Sequence, residues 1–318
     1  MSQGFFLTRG GGDTESAALA AALRMTYSIS ASNAANPLTT PTYDGSGQAV
    51  HPAVVYVPGG WNGYAYWMAM TPYPNGSAEW EDPSILASAD GTTWVVPPGL
   101  TNPIDPNGNL PAHNADVSLI LGQDNLLYCY WVYWNGSSSF WYVKSSADGV
   151  NWSVKTELLT AVGYNDTVSA TVLWDGVQYV MWGTQISDNP NTLHRRTCPT
   201  PDGTWSSPIV CSMPSVRDVW HLSVVKNVAF REYHAFVVLC NRDVSGVGAK
   251  LAFSRSFDGI VWSEPKLLLD ASAPGGWDDY WIYQASGIET SVGYDLWYAA
   301  YNTALVNHIG RTVVNLSV

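Results

Sequence analysis

Ser88-Ala-Asp90-Gly91-Thr-Thr-Trp94, Ser146-Ala-Asp148-Gly149-Val-Asn-Trp152 and Ser256-Phe-Asp258-Gly259-Ile-Val-Trp262 are three copies of one phrase, Ser-x-Asp-Gly-x-x-Trp. A shortened copy, Pro201-Asp202-Gly203-Thr-Trp205, stands between the second and the third. The four tryptophans fall 53 to 58 residues apart, and a fixed period of that size marks a repeat architecture. Asp-Gly supplies the positive φ that a tight hairpin turn needs. Each phrase therefore reads as strand, turn, strand, with its Trp packed back between units.

Outward from the phrases, a short apolar strand opens each repeat, at His51, Asp116, Ser169, His221 and Gln284. Small residues mixed with β-branched ones suit strands crowded about an axis. Five openings predict an all-β chain folded as a five-bladed β-propeller over residues 50–318, with blades near 50–110, 111–165, 166–215, 216–272 and 273–318. The last repeat ends after its third strand. A ring must close to hide its edges, so the segment 1–49 is expected to supply the missing strand. Leu23–Ser30 and Gly4–Thr8 are the candidates, and Asp13–Arg24 is Ala-rich enough for a short helix instead.

Composition narrows the function. The chain of 318 residues carries a net charge of −12 with only 14 Lys and Arg, which argues against a nucleic-acid partner. Sixteen Trp and 18 Tyr against 7 Phe favour surfaces apolar on one side and wet on the other. No export signal and no apolar run of membrane-spanning length is visible, so neither a signal peptide nor membrane insertion is expected. The four cysteines lack metal-ligand spacing; Cys129 and Cys240 read as buried thiols, and Cys198 and Cys211 flank one turn where a disulfide is open.

In a propeller the inner strands converge at one end of the axis, so their starts are the candidate site. These starts bear His51, His113, Asn114, Asp116, Asp166, Ser169, Asp218, Trp220, His221, Asp279, Tyr280, Tyr283 and Gln284. A scaffold alone would favour Gly, Ser, Asn or Pro there. His51, His113 and His221 are a conceivable metal trio, but the expectation is no metal and no cofactor. Glu81-Asp82-Pro83 reads as an acidic pair that orders a turn.

His51-Pro52-Ala53-Val54, Asn114-Ala115-Asp116-Val117 and the Asp-Gly turns resemble the five-bladed propellers of family 43 and family 32 glycoside hydrolases, a fold also met in bacteriophage minor tail proteins. The resemblance implies a carboxylate base in blade one, an Asp in blade two and a Glu acid in blade three. Asp116 matches the second. His51 stands where those enzymes have Asp, and Val168-Ser169-Ala170 has no Glu. Sialidases are excluded, because their turn motif has one more residue and their sites need three Arg.

With the carboxylate pair broken, the expectation is a non-catalytic glycan-binding protein of a phage tail, in the virion or facing the cell exterior. Its partners would be a cell-surface glycan and other virion proteins, and a homo-oligomer is compatible. The ligand set is His51, Trp61, His113, Asp116, Trp220, His221, Tyr280, Trp281 and Gln284. The alternative is a glycoside hydrolase with a non-standard set drawn from Asp116, Asp166 and Asp279, aided by His51 or His221.

Overall fold

The computed structural model describes residues 27–107, 110–162, 168–186, 188, 190–241 and 248–317. The described chain enters with β1 (Ser28–Ser30). Blade I follows with β2 (Ala49–Trp61), β3 (Tyr64–Pro72) and β4 (Ser84–Ser88), and blade II with β5 (His113–Leu121), β6 (Leu127–Trp134), β7 (Ser138–Ser146) and β8 (Thr156–Val162). Blade III holds β9 (Val168–Trp174), β10 (Tyr179–Gln185), β11 (Thr192–Cys198) and β12 (Ile209–Cys211). Blade IV holds β13 (Asp218–Asn227), β14 (Glu232–Cys240), β15 (Lys250–Ser256) and β16 (Lys266–Leu269), and blade V β17 (Trp281–Glu289), β18 (Gly293–Tyr301) and β19 (Asn307–Ser317). Each blade is an antiparallel sheet, and the inner strands touch in a closed cycle, β2, β5, β9, β13, β17 and back to β2. The protein is a five-bladed β-propeller.

Strand β1 pairs antiparallel with β19, Ser28 opposite Ser317, and so forms the outer strand of blade V. Tyr27 is buried beside it, edge-on to Phe253, with the Lys266 ammonium over its ring. The sequence candidates Gly4–Thr8 and Asp13–Arg24 lie outside the described residues.

The repeated phrase is a self-sufficient turn. In each of the three full copies the Ser Oγ accepts the glycine N–H, at 2.8–2.9 Å, and the Asp Oδ1 accepts the next two N–H groups, at 2.7–2.9 Å. These donors hold the Asp90 and Asp148 carboxyls well below the usual carboxylate range. Each turn packs on the second strand of the preceding blade. Gly149 lies on Trp67, Gly259 on Trp182 and Gly91 on Trp297, while Tyr130 Oη donates to Pro201 O. Trp94, Trp205 and Trp262 are buried, whereas Trp152 is only half-buried. Cys198 and Cys211 are both buried free thiols. Leu193, not Cys198, pairs with Cys211, so the two sulfurs sit at opposite ends of β11 and the open disulfide is not formed.

A Cβ on Gly149 would lie 2.2 Å from the Trp67 ring, on a backbone with φ +76°. Gly149→Ala should therefore cost about 3 kcal/mol, left-handed strain of ~1–2 plus overpacking of ~1–3. Gly176→Ala, with φ +104° and nothing within 4 Å, should lose the strain alone. Equal denaturant midpoints for the two variants would remove the packing part of this account.

Bulges set up the axis. Every inner strand slips register near its start, between Val50 and Ala53, Ala115 and Ser118, Val168 and Thr171, Val219 and His221, and Ile282 and Ala285. In three adjacent blades the bulged residue is a non-glycine with positive φ: His51 at 56°, Asp116 at 54° and Ser169 at 56°. Such conformations cost about 1–3 kcal/mol each and re-aim a side chain out of the sheet. Two residues on, hydroxyls tie blade to blade: Ser286 Oγ accepts Val54 N at 2.9 Å, Ser118 Oγ accepts Val172 N at 3.2 Å, and Thr171 Oγ1 accepts Val224 N at 3.3 Å.

Candidate active site and metal centre

At the end of the axis where the bulges lie, a cavity of about 350 Å³ is lined by His51, Glu81, His113, Asp116, Trp220, His221 and Tyr283, with Ala115, Val168 and Ile186 as its apolar wall. His51, Asp116 and His221 occupy equivalent positions in blades I, II and IV. Their ligand atoms all lie within 4.8 Å of one another and all three residues are buried. Asp116 Oδ1 stands 3.2 Å from His51 Nε2 and 3.5 Å from His221 Nδ1. Ser169, the equivalent residue of blade III, donates its hydroxyl to Asp116 Oδ1 at 3.2 Å and also contacts His221 Nδ1. Thr71 Oγ1 holds His51 Nδ1 at 2.9 Å.

Burial decides the charge state. It pushes His51 down to about 3, helped by nearby His113, and His221 well below its ordinary value. Both imidazoles are therefore neutral at pH 7, and their closeness to Asp116 is not an ion pair. Burial also pushes the Asp116 carboxyl up to about 6, against the Ser169 hydrogen bonds, and Glu81 well up. Among the described residues, His51 Nε2 and His221 Nε2 are buried without a hydrogen-bond partner. Neutral imidazole lone pairs beside a desolvated carboxylate are the donors a borderline divalent cation takes, and the cation would offset the cost of burying the charge. The residues fit such a metal. In this cluster Asp116, and not His113, stands with His51 and His221.

Glu81 was read as part of a turn, and the structure puts its carboxyl in the cavity, Oε1 3.4 Å from His51 Nδ1. The partner that does the ordering is Asp82. Its Oδ1 accepts Asn114 Nδ2 at 2.7 Å and Asn107 N at 2.9 Å, and its Oδ2 accepts Tyr43 Oη at 3.1 Å. Asn114 N in turn donates to Glu81 O at 3.0 Å, pinning the Glu81 loop to the strand that carries Asp116. An acidic pair in a charge-poor chain was the one signal for Glu81 in the sequence. Tyr283 was a strand-start residue outside the chosen set. Its ring lies 4.5 Å from that of His221, 5.2 Å from His51 and 4.8 Å from Trp220.

The other predicted residues divide between the cavity and places away from it. His113 and Trp220 line the cavity as expected. Trp61 sits at the tip of the β2–β3 hairpin, buried edge-on against Trp67 with Nε1 donating to Asn125 O, because the hairpin folds its end back into the blade I–II core. Tyr280 is half-exposed and stacks on Trp281, which packs into the core on either side of blade V; neither lines the cavity. Asp279 is half-buried and caps a loop, accepting Gly275 N and Thr303 N, so it makes no pair with Asp116. Gln284 lines a second cavity, of about 360 Å³, further along the axis. Asp166 lies outside the described residues.

No protein-family profile matches the chain. It is 27% identical over 291 residues to the A type blood N-acetyl-alpha-D-galactosamine deacetylase of Flavonifractor plautii, which covers 75% of this chain and 37% of that protein. The chain thus spans little more than a third of its curated relative. Among solved structures, an N-acetylgalactosamine deacetylase from F. plautii in complex with blood group B trisaccharide superposes with a TM-score of 0.80 at 22% identity, over 91% of this chain and 95% of that one. The GH43 BlXynB protein from Bacillus licheniformis superposes with a TM-score of 0.60 at 12% identity, over 89% and 54%. The resemblance to glycoside hydrolase propellers holds for the fold. The relatives are carbohydrate-processing enzymes, and this overturns the expectation of a binding-only phage tail protein. At the two missing carboxylate positions the chain has His51 in blade I and Ser169 in blade III.

Proposed function

We propose that this chain is a metal-dependent carbohydrate deacylase that hydrolyses the N-acetyl group of an amino sugar. The observation that carries this reading is the buried His51–Asp116–His221 cluster, with its two unpartnered Nε2 atoms, at the floor of the cavity. The name of the curated relative supports the substrate class. When bound, a divalent cation supplies Lewis-acid polarisation and lowers the pKa of water. Glu81 stands beside the cluster to take the proton of the attacking water and deliver it to the departing amine nitrogen. Trp220 offers an aromatic face for the apolar side of a sugar ring.

Glycoside hydrolysis is the second reading, with Glu81 and Asp116 as the carboxyl pair. Such a pair must flank the scissile bond. Here the His51 ring fills the space between them, Nδ1 toward Glu81 and Nε2 toward Asp116, which disfavours it. The experiment is to load the protein with Zn²⁺, incubate it with an oligosaccharide ending in N-acetylgalactosamine, and assay acetate and reducing sugar in parallel. Acetate release that a chelator abolishes and Zn²⁺ restores is expected. Reducing sugar without acetate would replace this reading with the second.

A further inference from the structure

We infer that the Tyr283 hydroxyl is the hydrogen-bond donor to the acyl oxygen as that oxygen gains negative charge. The inference rests on the deacylase reading and adds a catalytic group to it. In amide hydrolysis, water oxygen bonds to the carbonyl carbon and the C=O π pair moves onto oxygen. The carbon–nitrogen bond then breaks, the amine leaves with the proton that Glu81 delivers, and the acyl group becomes a carboxylate. The oxygen that holds the extra pair needs a donor placed in advance.

Two hydroxyls of the site are committed: Ser169 donates to Asp116, and Thr71 is held by His51 Nδ1. Tyr73 also lines the cavity, but its ring packs on Tyr301 and not on the imidazoles. Tyr283 differs. Its ring is wedged among His51, His221, Trp220 and Tyr301, the last at 5.4 Å, so it cannot swing without displacing core aromatics. Its hydroxyl forms no hydrogen bond with any described residue, and the side chain lines the same cavity as Asp116 and Glu81. A phenol hydroxyl is a hydrogen-bond donor as well as an acceptor. Rigid placement and an unspent proton beside the cluster are what an oxyanion donor requires.

Tyr283→Phe keeps the ring and removes only the donor. Acetate release should fall about 10²–10³-fold in kcat, with KM nearly unchanged. Bound Zn²⁺ and melting temperature should stay at wild-type values. Two further readouts separate chemistry from structure. Binding of a phosphonamidate analogue, which carries the tetrahedral oxyanion, should weaken by the same factor as kcat. The defect should also shrink on an N-trifluoroacetyl substrate, whose fluorines already stabilise the oxyanion. A Tyr283→Phe enzyme within about 3-fold of wild type in kcat, or one that loses Zn²⁺ in step with activity, overturns the inference alone. A wild type that releases no acetate overturns it together with the deacylase reading.

Discussion

Asp116→Asn is expected to empty the metal centre and stop acetate release while leaving the propeller folded. The amide is isosteric, accepts the Ser169 hydroxyl as before, and has the reach of the carboxylate but not its charge. Asp116 is the one carboxylate among the three clustered ligand residues, so its loss leaves two neutral imidazoles. Removing a mere outer partner of a ligand typically costs about 10–100-fold in metal affinity. Losing the charged ligand itself should cost more than ~100-fold, and activity should fall with occupancy. The metal-free variant should melt no lower than the metal-free wild type, because a buried charge has been removed. Equilibrium dialysis against Zn²⁺, thermal melts and the acetate assay test all three statements. A variant that binds Zn²⁺ as the wild type does would take the metal centre out of this account.

Glu81→Gln should act on rate and not on the metal. Proton transfer by a positioned carboxyl is worth about 10²–10⁴-fold, so kcat should fall within that range with KM and bound Zn²⁺ unchanged. Its loop should stay in place, since the Asp82 clamp on Asn114, Asn107 and Tyr43 does not involve the Glu81 side chain. Full activity in this variant would assign the proton to another group. Loss of Zn²⁺ along with activity would make Glu81 a ligand rather than a proton carrier.

These predictions draw on residues of unequal visibility. The propeller was legible because Ser-x-Asp-Gly-x-x-Trp makes its own turn from its own atoms, so the phrase means the same thing wherever it stands. The cluster was half-legible. The period placed His51, Asp116, Ser169, His221 and Gln284 at one level, but not which way each side chain would turn. The bulges decide that, and they send Gln284 along the axis and the other four into one cluster. Glu81 was out of reach of periodic reasoning, because it sits in a loop held by hydrogen bonds to residues 25 to 39 positions away. Trp61 and Asp279 failed for the same cause in reverse: local partners, Trp67 and the Gly275 and Thr303 amides, use up groups that looked free. The grouping of His51 and His221 about Asp116 was hidden by comparison with enzymes that need two carboxylates, a frame in which a histidine reads as a loss.

Because β1 pairs with β19, the ring is latched by one of the earliest described segments and the last. Ser30 cannot meet Asn315 until the chain between them has left the ribosome, a wait of about 15–60 s at ~5–20 residues per second. Meanwhile blades I to IV can assemble in order, the turns of blades II to IV finding the preceding blade already made, while the blade I turn waits for Trp297 of blade V. Over that interval the nascent propeller is an open arc with an unlatched seam, and blade V is where a chaperone, a protease or a second nascent chain would find it.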